Sequence, residues 1–190
     1  MTDLCIVTRS RDAPSETFIR AHIENLWADL EVLFGAAQYP RLQFADGTLV
    51  TERMRPPVNP LVEKLEAVLP YHFAFKRKLR RRNAQSPEKM LKKYLMETGV
   101  KVVLAEYGMT GGSVTPVCAA AGIPMVVHFH GYDAYSRPIL ESHYNAYREM
   151  FDYAESIVVV SKDMERQLQS LGAPPGKLVY NPYGPREEFA

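Results

Sequence analysis

The sequence predicts an α/β fold: a Rossmann-like, mostly parallel sheet flanked by helices on both faces. Three observations carry this expectation. Short apolar runs rich in β-branched residues alternate with stretches of helical period about six times along the chain. Helix caps and glycine stops fall between them. A chain of 190 residues that is 46% hydrophobic is long and apolar enough to bury one sizeable core.

The elements follow in order. Leu4–Thr8 is brief, apolar and β-branched, which suits a strand covered on both faces. Residues 14–30 place Phe18, Ile19, Ile23, Leu26 and Trp27 on one stripe of a helix. Residues 31–35 read as the next strand, and residues 58–69 as a helix with Leu61, Leu65, Val68 and Leu69 on one side. Ser86-Pro87-Glu88 supplies an N-cap, a proline at the first helical position and an early acid, opening a helix that stops at Gly99. A strand over 100–105 leads to a small-residue helix over 112–121, ending at Gly122. A strand over 123–129 and a long helix over 137–154 come next. The strand at 157–160 passes through Ser161 into a helix over 162–171 that ends at Gly172, and 177–180 is the last strand.

Composition excludes several classes. The net charge of +1 argues against a protein devoted to nucleic acid, and no nucleic-acid partner is expected. Cys5 and Cys118 lie far apart in packing segments and form neither a disulfide framework nor a metal motif. No run approaches the roughly 20 apolar residues that span a bilayer, and the N-terminus lacks a signal-peptide pattern, so a cytoplasmic location is expected. No cluster of His, Asp or Cys appears at ligand spacing, so no metal is expected, and no organic cofactor either. G-x-G-x-x-G, G-x-S-x-G and the P-loop are all missing, which disfavours dehydrogenase-type dinucleotide binding and α/β-hydrolase chemistry.

Ligands of parallel sheets bind beyond the carboxyl ends of the strands, and four segments there carry a resemblance. Pro14-Ser15-Glu16-Thr17-Phe18-Ile19, Val127-His128-Phe129-His130-Gly131-Tyr132-Asp133, Ile157-Val158-Val159-Val160-Ser161 and Gly172–Gly184 occur in that order. Together they resemble the N-terminal domain of a GT-B glycosyltransferase of family 4, the retaining family of bacterial polysaccharide and lipopolysaccharide transferases. The resemblance is poorest over residues 35–82, and Pro185 and Arg186 stand where the family often shows Val-Asp. It implies an acceptor-binding domain over 1–190, with a nucleotide-sugar-binding C-terminal domain supplied in cis or in trans. It further implies a nucleotide-sugar donor as co-substrate, bound mainly by that second domain, and a glycan or lipid-linked glycan as acceptor. The isolated chain is expected to be inactive.

Candidate site residues follow from the same loops. His130 ends a strand, and its imidazole is expected to point into the interdomain cleft as a catalytic group; the alternative is a ring that satisfies loop carbonyls. Asp133 either orients His130 or meets an acceptor hydroxyl as its catalytic partner, or else caps the turn before Tyr135. His128, inside the strand, reads as packed. Ser15, Glu16 and Thr17 open the first helix, where backbone N–H groups favour an anion and Glu16 suits a sugar hydroxyl; a plain N-cap is the alternative. Tyr107, Gly108, Gly131 and Ser161 complete the substrate-binding set, with close packing or turn geometry the competing explanation for the glycines.

A basic run stands apart. Lys and Arg occupy nine positions between Lys76 and Lys93, against one acid, Glu88. Phe73 and Phe75 precede Lys76, Arg77, Lys78, Arg80, Arg81 and Arg82, a pattern suited to an anionic membrane surface at the cytoplasmic face of the cell membrane. A solvated helix face is the alternative. If the run is the working part, the chain is a non-catalytic Rossmann-like module that binds membrane or a protein partner.

Overall fold

A computed structural model describes residues 2–10, 13, 16–35, 41–54 and 86–184. The expected helix over 58–69, the basic run Phe73–Arg82 and Ser15 lie outside the described residues. The elements are β1 (Leu4–Thr8), α1 (Thr17–Asn25), β2 (Leu30–Phe34), α2 (Val50–Arg53), α3 (Pro87–Glu97), β3 (Val102–Glu106) and α4 (Gly108–Ala121). After them come β4 (Met125–His128), α5 (Tyr132–Tyr135), α6 (Arg137–Tyr153), β5 (Ser156–Val159), α7 (Lys162–Ser170) and β6 (Leu178–Tyr180).

The six strands form one sheet in the order β2-β1-β3-β4-β5-β6, and every pairing is parallel. Parallel strands need crossovers, and the helices provide them. β1 shows that both faces are covered: Cys5 and Val7 join the larger apolar cluster, while Ile6 packs on the other side with Val32 and Phe34. Because β2 lies on one side of β1 and β3 on the other, the chain changes direction at the β1/β3 boundary. A crevice opens at the carboxyl ends of strands at such a point.

Local sequence explains the boundaries. The Ser86 Oγ accepts from Lys89 N at 3.4 Å at the start of α3, and the Ser161 Oγ accepts from Met164 N at 3.0 Å at the start of α7. Gly122 ends α4 at φ +67°, a left-handed conformation that glycine takes without a Cβ penalty.

Three expectations are corrected. The first helix runs only from Thr17 to Asn25, because the chain turns extended at Leu26 to enter β2; Trp27 is fully exposed and belongs to no buried stripe. Glu106 is the last residue of β3, one position beyond the expected strand over 100–105. α4 begins at Gly108, four residues before the expected start at 112, and its glycines are helical packing positions, the close-packing alternative. A Cβ on Gly108 would stand 2.4 Å from Phe129, and one on Gly111 would stand 2.6 Å from the Met150 Sδ. These glycines let α4 press against β4 and α6.

Cys5 and Cys118 are free and buried, and burial pushes both thiols up, Cys118 to about 12. No helix among the described residues is long and apolar enough to cross a membrane.

Candidate functional site

The site grows out of the register of two strands. Pairing of β3 with β4 sets Glu106 opposite His128, and the next residue but one after His128 is His130. Glu106 is fully buried and His128 is 3% exposed. α1, which crosses above, lowers His22 onto the same carboxylate.

The Glu106 Oε1 lies 2.7 Å from the His22 Nδ1, and its Oε2 lies 2.7 Å from the His130 Nε2. Burial alone would raise the Glu106 pKa, but the hydrogen bonds from His130 and His22 outweigh it and hold the carboxyl at about 2. His128 stands farther off, with its Nδ1 3.8 Å from the Glu106 Oε2 and its buried Nε2 without a hydrogen-bond partner. Burial, reinforced by the neighbouring His130, lowers its pKa from 6.5 to about 3. His128 is therefore a neutral, packed ring, stacked on His22 at 4.9 Å.

His130 is surrounded by aromatic rings. Phe18 stacks on it at 4.3 Å, Tyr107 meets it edge-on at 4.7 Å, and the Tyr183 hydroxyl contacts its Nδ1. Its side chain is only 1% exposed. The expectation of an imidazole open to a cleft is corrected: the ring is roofed by Phe18 and by Tyr183 from the segment after β6. That roof is itself at the surface, since Tyr183 is 45% exposed and residues 181–184 are all exposed.

Asp133 is fully buried. Its Oδ2 accepts from Gly108 N at 2.7 Å and its Oδ1 from His130 N at 3.0 Å. Burial raises its pKa, and the two backbone bonds partly offset that. The carboxylate fastens the loop after β4 to the start of α4, so it holds the His130 backbone in place and presents nothing to a ligand. This corrects its assignment as a catalytic partner of the ring. Gly108 offers no free N–H for the same reason. Gly131 takes φ +109° with open space around its missing Cβ, which allows the sharp exit from β4.

At α1, Glu16 occupies the N-cap position without capping the helix through its side chain. It accepts from the Tyr107 hydroxyl at 3.0 Å and from the Ser10 hydroxyl. Thr17 is exposed in the first turn, and Ser161 is engaged as the cap of α7. A recess of about 50 Å³ opens beside Ser10, Glu16, Arg20 and Phe34. Tyr107 is the only non-glycine residue at positive φ among the described residues, at +74°. Such a conformation costs of order 1–3 kcal/mol, and it places the phenol between Glu16 and His130.

Glu106 and His22 were not found by sequence reasoning. The Glu106–His128 register was within reach, because strand ends can be aligned from the apolar runs. His22 carries no such signal, being one polar position on a short helix. His22, Glu106 and His128 each bring a possible metal-ligand atom within 4.8 Å of the others, the one such group among the described residues. As they stand, His22 and Glu106 satisfy each other by hydrogen bonding.

Comparison with known proteins bears on the family and the fold. The glycosyl transferase 4-like domain family matches residues 20–184. Among solved structures, S. aureus MnaA with UDP superposes with a TM-score of 0.52 at 13% identity, covering 95% of this chain and 43% of its own. The lipopolysaccharide outer core galactosyltransferase WaaB, in its apo form, gives 0.51 at 14%, with 97% and 47% covered. Anabaena HepE with UDP and glucose gives 0.53 at 10%, with 96% and 45% covered. These likenesses establish a shared fold, the N-terminal half of a GT-B architecture, and the chain spans under half the length of each. No curated protein sequence matches it.

Proposed function

Since the chain belongs to the glycosyl transferase 4-like family, we propose that it is the acceptor-binding domain of a retaining glycosyltransferase. The enzyme moves a sugar from a nucleotide-sugar to a glycan or lipid-linked glycan. The observation that carries this reading is the cluster at the carboxyl ends of β3 and β4, where Phe18, Tyr107 and Tyr183 pack around His130 beneath a roof that is itself at the surface. Aromatic rings offer flat apolar faces to sugar rings, and an imidazole nitrogen can take or give a hydrogen bond to a hydroxyl.

In the reaction, the bond from the donor's anomeric carbon to its diphosphate breaks, a bond to the acceptor oxygen forms, and the acceptor hydroxyl's proton ends on the departing nucleotide diphosphate. The donor phosphates are held by the second domain, in cis or in trans, through basic side chains and helix N-termini. This chain contributes the acceptor wall and His130, and alone it turns over little or no donor. Support for a nucleotide-sugar donor comes from the fold neighbours solved with UDP, MnaA and HepE.

The test is His130→Ala in the longest natural form of the protein, assayed for sugar transfer from nucleotide-sugars. Loss of a positioned acid–base group lowers turnover by about 10²–10⁴-fold. An unchanged turnover number would remove His130 from the chemistry.

A further inference from the structure

The hydrogen bonds around His130 run in one direction. A carboxylate accepts and does not donate, so both rings that touch Glu106 must present N–H groups to it. His22 therefore carries its proton on Nδ1, and His130 carries one on Nε2. An imidazole with a single N–H, spent on Glu106, has a lone pair at Nδ1. The Tyr183 hydroxyl contacts that nitrogen, and toward a bare Nδ1 it is the phenol that donates. Burial, with the Glu106 charge behind it, raises the Tyr183 pKa and keeps the phenol protonated. The sequence of donors and acceptors from Tyr183 through His130 and Glu106 to His22 is thus free of conflict.

Resting on the reading that His130 meets the acceptor, we propose that Glu106 is a positioning residue that locks the His130 tautomer. The lock aims the Nδ1 lone pair at the subsite for an acceptor sugar hydroxyl, a place held here by the Tyr183 hydroxyl. Within the chain of four groups, exposure falls in a telling way. The His22 side chain is 24% exposed, Glu106 and the His130 ring are sealed, and Tyr183 is 45% exposed. Tyr183 is the member that can leave without disturbing the others, and a sugar O–H offers the same donor to Nδ1. With the hydroxyl bonded there, His130 orients the acceptor oxygen, and the Glu106 charge favours any positive charge that develops on the ring. His128, close by, takes no part in this chain, since neither of its nitrogens comes within hydrogen-bond distance of Glu106.

The experiment is long-range ¹H–¹⁵N correlation NMR of the histidine side chains in this chain at pH 7.5. The expected result is one neutral His130 tautomer, protonated at Nε2 and bare at Nδ1. Tyr183→Phe should keep that tautomer, because the lock lies on the other nitrogen. Glu106→Leu, which removes the acceptor, should lose it, giving a mixture or the Nδ1–H form. A His130 protonated at Nδ1, or doubly protonated, in the unmodified chain would overturn the proposal, and so would an unaltered tautomer in a folded Glu106→Leu protein. The unmodified chain alone decides the first point if that variant does not fold. None of these readouts depends on transfer activity, so the proposal can fail while the glycosyltransferase reading stands, and the reverse.

Discussion

Replacing His128 with phenylalanine should remove much of the protein's sensitivity to mild acid. His128 is 3% exposed, its Nε2 has no partner, and burial holds its pKa at about 3 against 6.5 in an unfolded chain. Between those values the unfolded state binds a proton that the native state refuses. Stability therefore rises with pH across that window and falls on acidification from 6.5 downward. Each pH unit carries about 1.36 kcal/mol, so the one and a half units from 6.5 to 5 cost about 2 kcal/mol. With a urea slope of about 2 kcal/mol/M, that moves the unfolding midpoint down by about 1 M. Phenylalanine keeps a flat ring in the same space and has nothing to protonate. Any strain from its slightly larger ring, about 1–3 kcal/mol at most, shifts both pH values alike and cancels in the comparison. His22, His130 and Glu106, which face His128, are unchanged between the two proteins. The assay is urea unfolding of the two proteins at pH 7 and pH 5. Parallel losses in the two would refute the reasoning and show that His128 protonates in the native state at little cost.

Gly111→Ala should destabilise the fold by about 1–3 kcal/mol in urea unfolding, because its Cβ would sit 2.6 Å from the Met150 Sδ and 2.9 Å from the Val127 methyls. Gly112→Ala, whose Cβ would stand 3.1 Å from the Ala146 Cβ, should cost less. Asp133→Ala strands the buried N–H groups of Gly108 and His130, and the thermal midpoint should fall by the equivalent of about 2 kcal/mol or more. If Phe73–Arg82 docks on membranes, binding to anionic vesicles should weaken with salt and drop by about 1 kcal/mol for each basic residue neutralised, measured by co-sedimentation.

Most of the strand and cap positions were legible because they depend on short-range chemistry. Leu4–Thr8 was read with its observed bounds, and Ser86, Ser161, Gly122 and Gly172 mark helix ends in the sequence as they do in three dimensions. The start of α4 was not legible. Glycines at 108, 111 and 112 weaken a helix locally, and only the close approach of Phe129, Val127 and Met150 makes them suitable. The end of α1 was misread because Leu26 and Trp27 continue the apolar spacing, yet β2 needs the chain extended by then. At the site, the strand-end rule located His130 and the Tyr107 region. It missed Glu106 because a carboxylate between apolar residues looks like the first residue of a loop. Its partners, His22 and His130, lie 84 and 24 residues away, and no local pattern records contacts over such separations. The roof over His130 was likewise invisible, because it depends on where Tyr183 lands after β6.

The left-handed backbone at Tyr107 has an evolutionary consequence. Under selection for heat resistance alone, position 107 is a place where glycine relieves conformational tension with one substitution. Lineages that must keep working should resist that change, since it discards the phenol that reaches Glu16. In a library screened separately for thermal survival and for turnover, the two screens would pull this one codon in opposite directions.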